Sequence, residues 1–191
     1  MEAPARAAPD DRSLQKAFAL VLRNTGALPD TLLESELFGH VRGAFTSADK
    51  DATGVFEAAN QGTVFLDEIG DMNSYAQAKI LRSIESREFF HLGGNKPVTF
   101  NARVIAATNK DPVQLIEERK MREDLYYRLN VARIHLPPLR KRKDDIPALI
   151  AYAISRLNRR FGRSVLGFTD EATENLLEYD CPGNIRKLFN L

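Results

Sequence analysis

Two acidic residues, Asp67 and Glu68, directly follow an apolar run in the stretch TVFLDEIG. The β-branched and aromatic residues before them predict a buried parallel strand that ends at these acids. Such a pair suits nucleotide hydrolysis. One carboxylate can hold Mg²⁺, mostly through water, while the next orients or deprotonates the attacking water. Taken alone, two acids after a strand also fit the start of an ordinary loop.

A second apolar run, VIAATN, ends in Thr108 and Asn109. It predicts another strand, and the hydroxyl and amide at its end can contact a phosphate or the attacking water. The alternative is a plain polar strand end, which is common.

Three arginines have a charge that suits a phosphate ligand. Arg122 and Arg128 lie in MREDLYYRLN, and six residues on a helix separate them by about 240°, so they cannot share one face. One can then contact a neighbouring subunit, where arginine stabilises the charge developing in phosphoryl transfer. Arg186 follows the break CPGN in what we predict to be the first turn of a helix, where a cation opposes the dipole unless an anion is bound. All three also fit ordinary surface arginines.

The loop VRGAFTSA carries a large apolar side chain, Phe45, between small residues. Phe45 either folds back onto the core or is presented to a partner. These residues alone leave both alternatives open.

The elements that must position these residues alternate between strands and helices, which predicts a parallel α/β sheet. Residues 13–24 fit either a short helix or a buried strand ending at Asn24. A hairpin is predicted over 89–100, and a third strand in ARIHLPPL, stopped by Pro137 and Pro138. Further helices are predicted in LPDTLLESELFGH, GVFEAANQG, NSYAQAKILRSIESRE and REDLYYRLN, and the chain is predicted to be all-helical from Asp144 onward.

Composition excludes several classes of protein. With 43% hydrophobic and 28% charged residues, the 191-residue chain has the balance of a globular protein. A net charge of +1 creates no strong electrostatic potential that would attract nucleic acid or a membrane surface. No apolar run approaches the length of a membrane span. The single cysteine, Cys181, excludes an internal disulfide and fits a reducing cytoplasm. Residues 1–12, rich in Ala and Pro, are expected to be a disordered leader without the apolar core of a signal peptide.

Together the motifs resemble one family. LESELFGH, GAFTSA, GTVFLDEIGDM, VIAATNKD, MREDLYYRLNVARIHLPPLRKRKDDI and CPGNIRKL occur in the order seen in the sigma-54 interaction domain, the AAA+ ATPase of bacterial enhancer-binding transcription activators. The resemblance runs from about Leu20 to the end of the chain. It implies a P-loop-NTPase-type sheet with helices on both faces, followed by a small helical lid. It also implies ATP and Mg²⁺ as ligands, sigma-54 of RNA polymerase as partner, and self-association into a ring.

The resemblance also implies roles for single residues. Asp67 matches the Mg²⁺-associated acid and Glu68 the catalytic glutamate, while Asn24 matches the asparagine that switches this glutamate between active and inactive poses. Thr108 and Asn109 match the first nucleotide sensor.

Other matches concern contacts between subunits and with the partner. Arg122 and Arg128 match the arginines supplied across the subunit interface, and Arg186 matches the second sensor in the lid. The hairpin at 89–100 resembles the family's second loop. The loop that grips sigma-54 corresponds to Gly43, Ala44, Phe45, Thr46, Ser47 and Ala48.

The sequence departs from the family in one major respect. A P-loop needs a glycine-rich turn ending in Gly-Lys, and these 191 residues contain no Gly-Lys pair. We therefore expect a partial α/β core over 13–140, lacking the P-loop strand and helix, and a truncated lid over 141–191. Residues 13–23 are a candidate to fill part of the gap.

Two readings of the function follow. The first is a nucleotide-binding activator that couples ATP hydrolysis to promoter opening. The second is a remnant without ATPase activity that serves as a sigma-54 interaction module or has no function. We expect negligible ATPase activity from the chain alone and no direct DNA binding.

Ser47 replaces a glycine of the family, which predicts a stiffer loop tip, and Cys181 and Lys187 replace the usual tryptophan and glutamate.

Overall fold

The computed structural model describes residues 21–22 and 29–190. The chain divides into two compact units, one ending at Ala132 and the other beginning at Arg133. None of the helices in the described residues is long and apolar enough to span a membrane. The disordered leader predicted over 1–12 and the switch residue Asn24 lie outside the described residues.

Among its described residues, the first unit contains five strands and five helices. The strands are β1 (Val21–Leu22), β2 (Thr63–Leu66), β3 (Glu88–Phe90), β4 (Pro97–Thr99) and β5 (Arg103–Ala106). The helices are α1 (Asp30–Phe38), α2 (Val55–Ala58), α3 (Ser74–Ser86), α4 (Pro112–Glu117) and α5 (Glu123–Leu129), with a 3₁₀ turn at Ile69–Asp71.

The described sheet is parallel and has the order β1-β2-β5. Val21 pairs with Phe65, and Thr63 pairs with Arg103. The apolar run of β2 is central in the described sheet. Val64 and Leu66, which share one face of the strand, are fully buried, and Thr63 and Phe65 on the other face are half-buried. The predicted α/β class with a parallel sheet is confirmed. For the ambiguous segment 13–24, the strand alternative holds at the two residues that the structure describes.

Four phenylalanines anchor the β3–β4 hairpin to α1 and α2. The rings of Phe38 and Phe56 stack at 5.4 Å between centroids, and Phe100 meets Phe56 edge-on at 5.0 Å. Phe89, on β3, lies 5.7 Å from Phe38. Ring pairs of this geometry stabilise beyond simple burial, so the predicted hairpin is fixed by its apolar face as well as by its backbone pairing.

The predicted third strand in ARIHLPPL is wrong. The segment forms no strand, and Ile134 and Leu136 are 85% and 76% exposed. An extended segment becomes a strand only when a neighbouring chain pairs with its N–H and C=O groups, and among the described residues none does. β5 is therefore an outer strand of the described sheet, and Val104, Ile105 and Ala106 are only half-buried.

Helix α4 was not predicted, although its signal was present in the sequence. Asp111 caps it by accepting a hydrogen bond from the Val113 N–H at 2.9 Å, and Pro112 occupies the first turn. An Asp-Pro start of this kind is a known helix signal.

The second unit is helical, as predicted. It contains α6 (Ile146–Phe161), α7 (Asp170–Glu178) and α8 (Asn184–Leu188), preceded by two 3₁₀ turns at Leu139–Lys141 and Lys143–Asp145. Its core contains Leu139, Ile146 and the free thiol Cys181, which is buried as a small apolar residue.

Candidate functional site

Backbone hydrogen bonds hold the ends of β2 and β5 together. The Ala107 N–H donates to the Leu66 carbonyl at 2.8 Å, and the Ile69 N–H donates to the Ala107 carbonyl at 3.1 Å. The turn carrying Asp67 and Glu68 therefore lies beside the end of β5.

The predicted acids occupy an abrupt turn. Glu68 has a left-handed backbone with φ 53°, which breaks the strand at once. One Asp67 carboxylate oxygen, Oδ1, accepts the Glu68 N–H at 3.0 Å. Both side chains are half-buried. A positive φ on a glutamate costs of the order of 1–2 kcal/mol, and strain of this kind is concentrated at functional sites.

The predicted sensor lies against the same turn. A side chain added at Gly70 would come within 3.3 Å of the Thr108 hydroxyl, so Thr108 packs closely on the residues after the acids. Thr108 Oγ1 accepts the Lys110 N–H at 3.2 Å, and Asn109 is exposed. The structure thus brings Asp67, Glu68 and Thr108 together at one edge of the sheet.

Lys110 is a residue of this edge that the sequence reasoning missed. Its ammonium forms an ion pair with Asp71. An open groove of about 400 Å³ lies beside them. Its lining residues are Gly70, Asp71, Met72, Asn73, Ser74, Lys110 and Lys120. The sequence signal was a lysine directly after the sensor pair in TNKD.

The donor chemistry at the strand ends fits Mg²⁺. That ion takes one or two carboxylates and completes its shell with water and phosphate oxygens. The Asp67 carboxylate accepts one hydrogen bond, from a backbone N–H, and has further oxygen lone pairs to offer a metal ion. Among the described residues, no cluster of three or more metal-ligating side chains forms. These 191 residues contain no Gly-Lys pair of the kind that holds the phosphates of a nucleotide in a P-loop. The one Gly-Gly-Asn-Lys stretch, residues 93–96, lies in the hairpin between β3 and β4 and is followed by Pro97.

Arg122 lies before α5 and not within it. It is the N-cap residue, with an extended backbone, so the helical angle predicted between it and Arg128 does not apply. Its guanidinium binds Asp124 through two hydrogen bonds, Nε to Oδ1 at 3.0 Å and Nη2 to Oδ2 at 2.6 Å. This hydrogen-bonded contact raises the pKa of Arg122 and lowers the pKa of Asp124. The Arg122 side chain therefore has an intramolecular partner in this chain.

Gln77 holds the backbone of Arg122 in place. This fully buried amide on α3 donates to the carbonyls of Met72 and Lys120, both at 2.8 Å, and accepts the Arg122 N–H at 2.8 Å. All three of these hydrogen bonds go to backbone groups, which fixes the start of α5 against α3. Sequence reasoning missed Gln77 because two of its three partners, Lys120 and Arg122, lie 43 and 45 residues away.

The other two arginines are exposed. Arg128 lies in the last turn of α5, where a cation favours the helix dipole. Arg186 lies in the second unit on the five-residue helix α8. The N-cap of that helix is Gly183, and the Asn184 side chain accepts the Leu139 N–H at 2.8 Å.

The loop of residues 41–51 stands on a paired base, which we call the neck. His40 and Ala52 exchange two backbone hydrogen bonds at 2.9 Å. On the other side, the Val41 N–H donates to Leu92 and the Leu92 N–H donates to Gly39, both at 3.0 Å. The neck therefore joins the loop to the segment that follows β3.

Close packing at the neck requires two glycines. Gly39 has φ 72°, and an added Cβ would lie 2.3 Å from the Ala52 carbonyl oxygen. At Gly54 an added Cβ would lie 2.3 Å from the Gly39 nitrogen. Only glycine allows backbone segments to approach this closely.

The loop itself is folded. The Gly43 N–H donates to the Ala48 carbonyl at 2.9 Å, and the Ala48 N–H donates to the Phe45 carbonyl at 2.9 Å. Phe45 is half-buried with its ring on His40, while Thr46 and Ser47 are exposed. The left-handed residue of the loop is Gly43, with φ 83°, and Ser47 has no positive φ. The backbone at Ser47 therefore does not need the freedom of the glycine that it replaces.

Comparison with known proteins identifies relatives of both units. The sigma-54 interaction domain family matches residues 4–135, and the AAA+ ATPase lid domain family matches residues 140–191. The first match begins well before Leu20, where the motifs placed the start of the resemblance.

Two curated relatives illustrate the similarity. A Nif-specific regulatory protein of Azotobacter vinelandii is 52% identical over 87% of this chain and 32% of its own length. The transcriptional regulatory protein ZraR of Klebsiella oxytoca is 48% identical over 90% of this chain and 39% of its own length. The chain thus spans about a third of the length of the curated relatives that it matches.

A solved structure shows the same fold. NtrX from Brucella abortus in complex with ATP matches with a TM-score of 0.79 and 32% identity, over 88% of this chain and 36% of that one. The crystal structure of NtrX in complex with ADP matches with a TM-score of 0.78.

Proposed function

The chain belongs to the sigma-54 interaction domain family of AAA+ ATPases, and from that premise we propose that it contributes the sigma-54 contact loop and the hydrolytic edge of an ATP-driven transcription activator. The observation that carries this proposal is the folded loop 43–48 on its paired neck, within the same unit as the acids at the strand ends. In the complete assembly, ATP hydrolysis in a ring of subunits drives the loop against sigma-54.

Each site residue has a proposed task. Asp67 would hold Mg²⁺ and Glu68 would orient or deprotonate the attacking water, while Thr108 and Asn109 would contact a phosphate of the nucleotide. Asn24 would orient Glu68. The NtrX structures in complex with ADP and ATP support a nucleotide ligand for the family.

Arginines complete the proposed assembly. Arg122 and Arg128 act across the subunit interface, and Arg186 acts from the lid. We assign the lid to residues 141–191 and the preceding α/β core to residues 13–140. Because Asp124 holds the Arg122 guanidinium by two hydrogen bonds, Arg122 must exchange this partner for the neighbouring subunit's phosphate. The single Cys181 and the net charge of only +1 support a cytoplasmic location and no direct DNA binding by these 191 residues.

A second candidate is an interaction module that binds sigma-54 without hydrolysing ATP. The observation that favours it is the lack of a Gly-Lys pair in these 191 residues. Backbone N–H groups and a lysine are needed to hold the β- and γ-phosphates. Without that loop, the acids at the strand ends have no phosphate positioned for attack.

The decisive experiment measures sigma-54 binding and ATP turnover on the same purified 191-residue chain. We expect Phe45→Ala to weaken sigma-54 binding by at least about thirtyfold, since truncating an aromatic hot spot costs about 2 kcal/mol or more. The matched control is Phe161→Ala, which truncates a 61% exposed phenylalanine in the second unit and should leave binding unchanged. Equal binding by both variants would contradict the contact-loop proposal.

ATP turnover then separates the two candidates. The interaction module predicts no turnover above that of Glu68→Gln, while a hydrolytic chain predicts Mg-dependent turnover that Glu68→Gln abolishes. Sigma-54 binding without turnover supports the second candidate for the chain alone.

A further inference from the structure

We propose that His40 is a positioning residue for Phe45, and that its imidazole holds the Phe45 ring at the neck in the resting loop. This inference rests on the proposed role of Phe45 as the partner-contacting residue. It adds a device that restrains that residue before contact.

The backbone of His40 is fixed from both sides. It forms an antiparallel bridge with Ala52 and a parallel bridge with Leu92. Its position is therefore set by the neck, independently of the conformation of the loop tip.

The imidazole is fixed as well. Its Nδ1 shares a hydrogen bond of 2.6 Å with the hydroxyl of Ser35, which lies on α1. Backbone pairing and this bond together leave the ring little freedom, because α1 is packed into the core through Leu33, Leu37 and Phe38.

The Phe45 ring packs against this fixed surface. The two ring centroids lie 4.8 Å apart with the planes inclined at 64°, an edge-to-face arrangement. This geometry is favourable for aromatic pairs. Since Phe45 is half-buried in this pose, its ring must leave His40 before it can insert fully into a partner.

The neck contains a second histidine that does not touch Phe45. His91 Nδ1 bonds to the Phe38 carbonyl at 2.7 Å, and its Nε2 lies 3.4 Å from a carboxylate oxygen of Glu57. Its ring packs on Phe89 at 5.9 Å. His91 therefore stabilises the base of the hairpin, and the restraint on Phe45 falls to His40.

The chain offers a clean reporter because it contains no tryptophan. In a Phe45→Trp background of the 191-residue chain, the introduced indole is the only one, and its acrylamide quenching and fluorescence anisotropy report the pose at position 45. We expect His40→Ala to raise the quenching constant about twofold or more, because one ring contact shifts the held population by about two- to tenfold. Anisotropy should fall in parallel.

Three further variants separate positioning from general damage. Ser35→Ala removes the bond that orients the imidazole and should give a smaller increase in quenching. His40→Phe keeps a ring at the same site and should restore low quenching. His135→Ala makes the same substitution at an exposed position of the second unit and should change nothing.

Two outcomes would reject the restraint of Phe45 by His40. If His40→Ala keeps its circular dichroism spectrum and its quenching equals that of the parent, the proposal is overturned. If His40→Ala does not fold, the pair Ser35→Ala and His40→Phe decides, and equal quenching in both rejects the restraint.

A second readout tests the consequence for the partner. With the native Phe45 present, His40→Ala should bind sigma-54 about two- to tenfold more tightly, since the ring no longer has to be released. Suppose that His40→Ala raises the quenching of the indole at position 45 but binds sigma-54 no more tightly than the parent. That result would contradict the proposal that the His40 contact opposes partner binding. If no variant binds sigma-54 while the reporter responds to His40, the proposed function fails and the positioning role stands.

Discussion

The neck of the loop and the outer edge of β5 are built in opposite ways. At the neck, three chain segments exchange backbone hydrogen bonds around His40, and four phenylalanines pack beneath them. Within the described sheet, β5 pairs on one side only, and further along the chain Ile134 and Leu136 are left exposed. The difference shows that the neck is closed by contacts among the described residues, whereas the outer side of β5 has no pairing strand among them.

The largest expected effect is on the free energy of unfolding, which should fall when a core residue is truncated and stay nearly constant when an exposed apolar residue is truncated. Phe56 is fully buried between Phe38 and Phe100, so Phe56→Ala should lower the free energy of unfolding by about 3–5 kcal/mol. Ile134, by contrast, is 85% exposed, and Ile134→Ala should change that free energy by less than about 0.5 kcal/mol. Urea denaturation followed by circular dichroism measures both. If Ile134→Ala lowers the free energy of unfolding by more than about 1 kcal/mol, this segment is packed in solution. The segment would then no longer differ from the neck in its packing.

The neck and the hairpin show what local sequence can predict. The apolar spacing of α1, its end at Gly39 and the hairpin around Gly93 and Gly94 were all readable because each depends on residues close in the chain. The strands β2 and β5 were predicted in the same way, from short apolar runs that end in polar residues.

Some failures involve partners distant in sequence, and others are local. ARIHLPPL has the composition of a strand, but whether it becomes one depends on a neighbouring edge, which its own residues do not encode. Gln77 bonds to Lys120 and Arg122, 43 and 45 residues away, and only the fold creates these bonds. Ser35 lies only five residues from His40, but its residue type does not indicate that its hydroxyl meets the imidazole. At the candidate site, residue types were predictable, while the Arg122–Asp124 contact and the left-handed Glu68 were not.

Hydrogen exchange sharpens the comparison at single amides. Along β5 the N–H groups of Arg103 and Ala107 donate to the β2 side, and because hydrogen-bond direction alternates along a strand, those of Val104 and Ala106 point to the outer edge. We expect Val104 and Ala106 to exchange on the order of a hundredfold faster than their neighbours.

The neck provides the internal control for that measurement. The His40 and Ala52 amides bond to each other's carbonyls and should be as protected as Arg103. Protection at Val104 and Ala106 would mean that another strand, from this chain or a second copy, pairs with the outer edge. Fast exchange along all of 63–68 and 102–108 would mean that the sheet does not form in the isolated chain.

The smallest expected effect concerns the Arg122–Asp124 contact at the start of α5. The hydrogen bonds from Arg122 lower the pKa of the Asp124 carboxyl in the folded chain, so its contribution to stability is complete above the ordinary carboxyl pKa of about 3.9 and is lost as the pH falls through the lowered folded value. Both side chains are more than 40% exposed, so solvent keeps the gain in stability small. Carbon-detected NMR should give Asp124 a titration midpoint below the ordinary range of an aspartate carboxyl. Arg122→Ala should raise this midpoint to the ordinary range, whereas Arg128→Ala, on the same helix but not bonded to Asp124, should not. An unchanged midpoint in Arg122→Ala would show that Arg122 is already free of Asp124 in solution, and that the proposed contact with a neighbouring subunit requires no release.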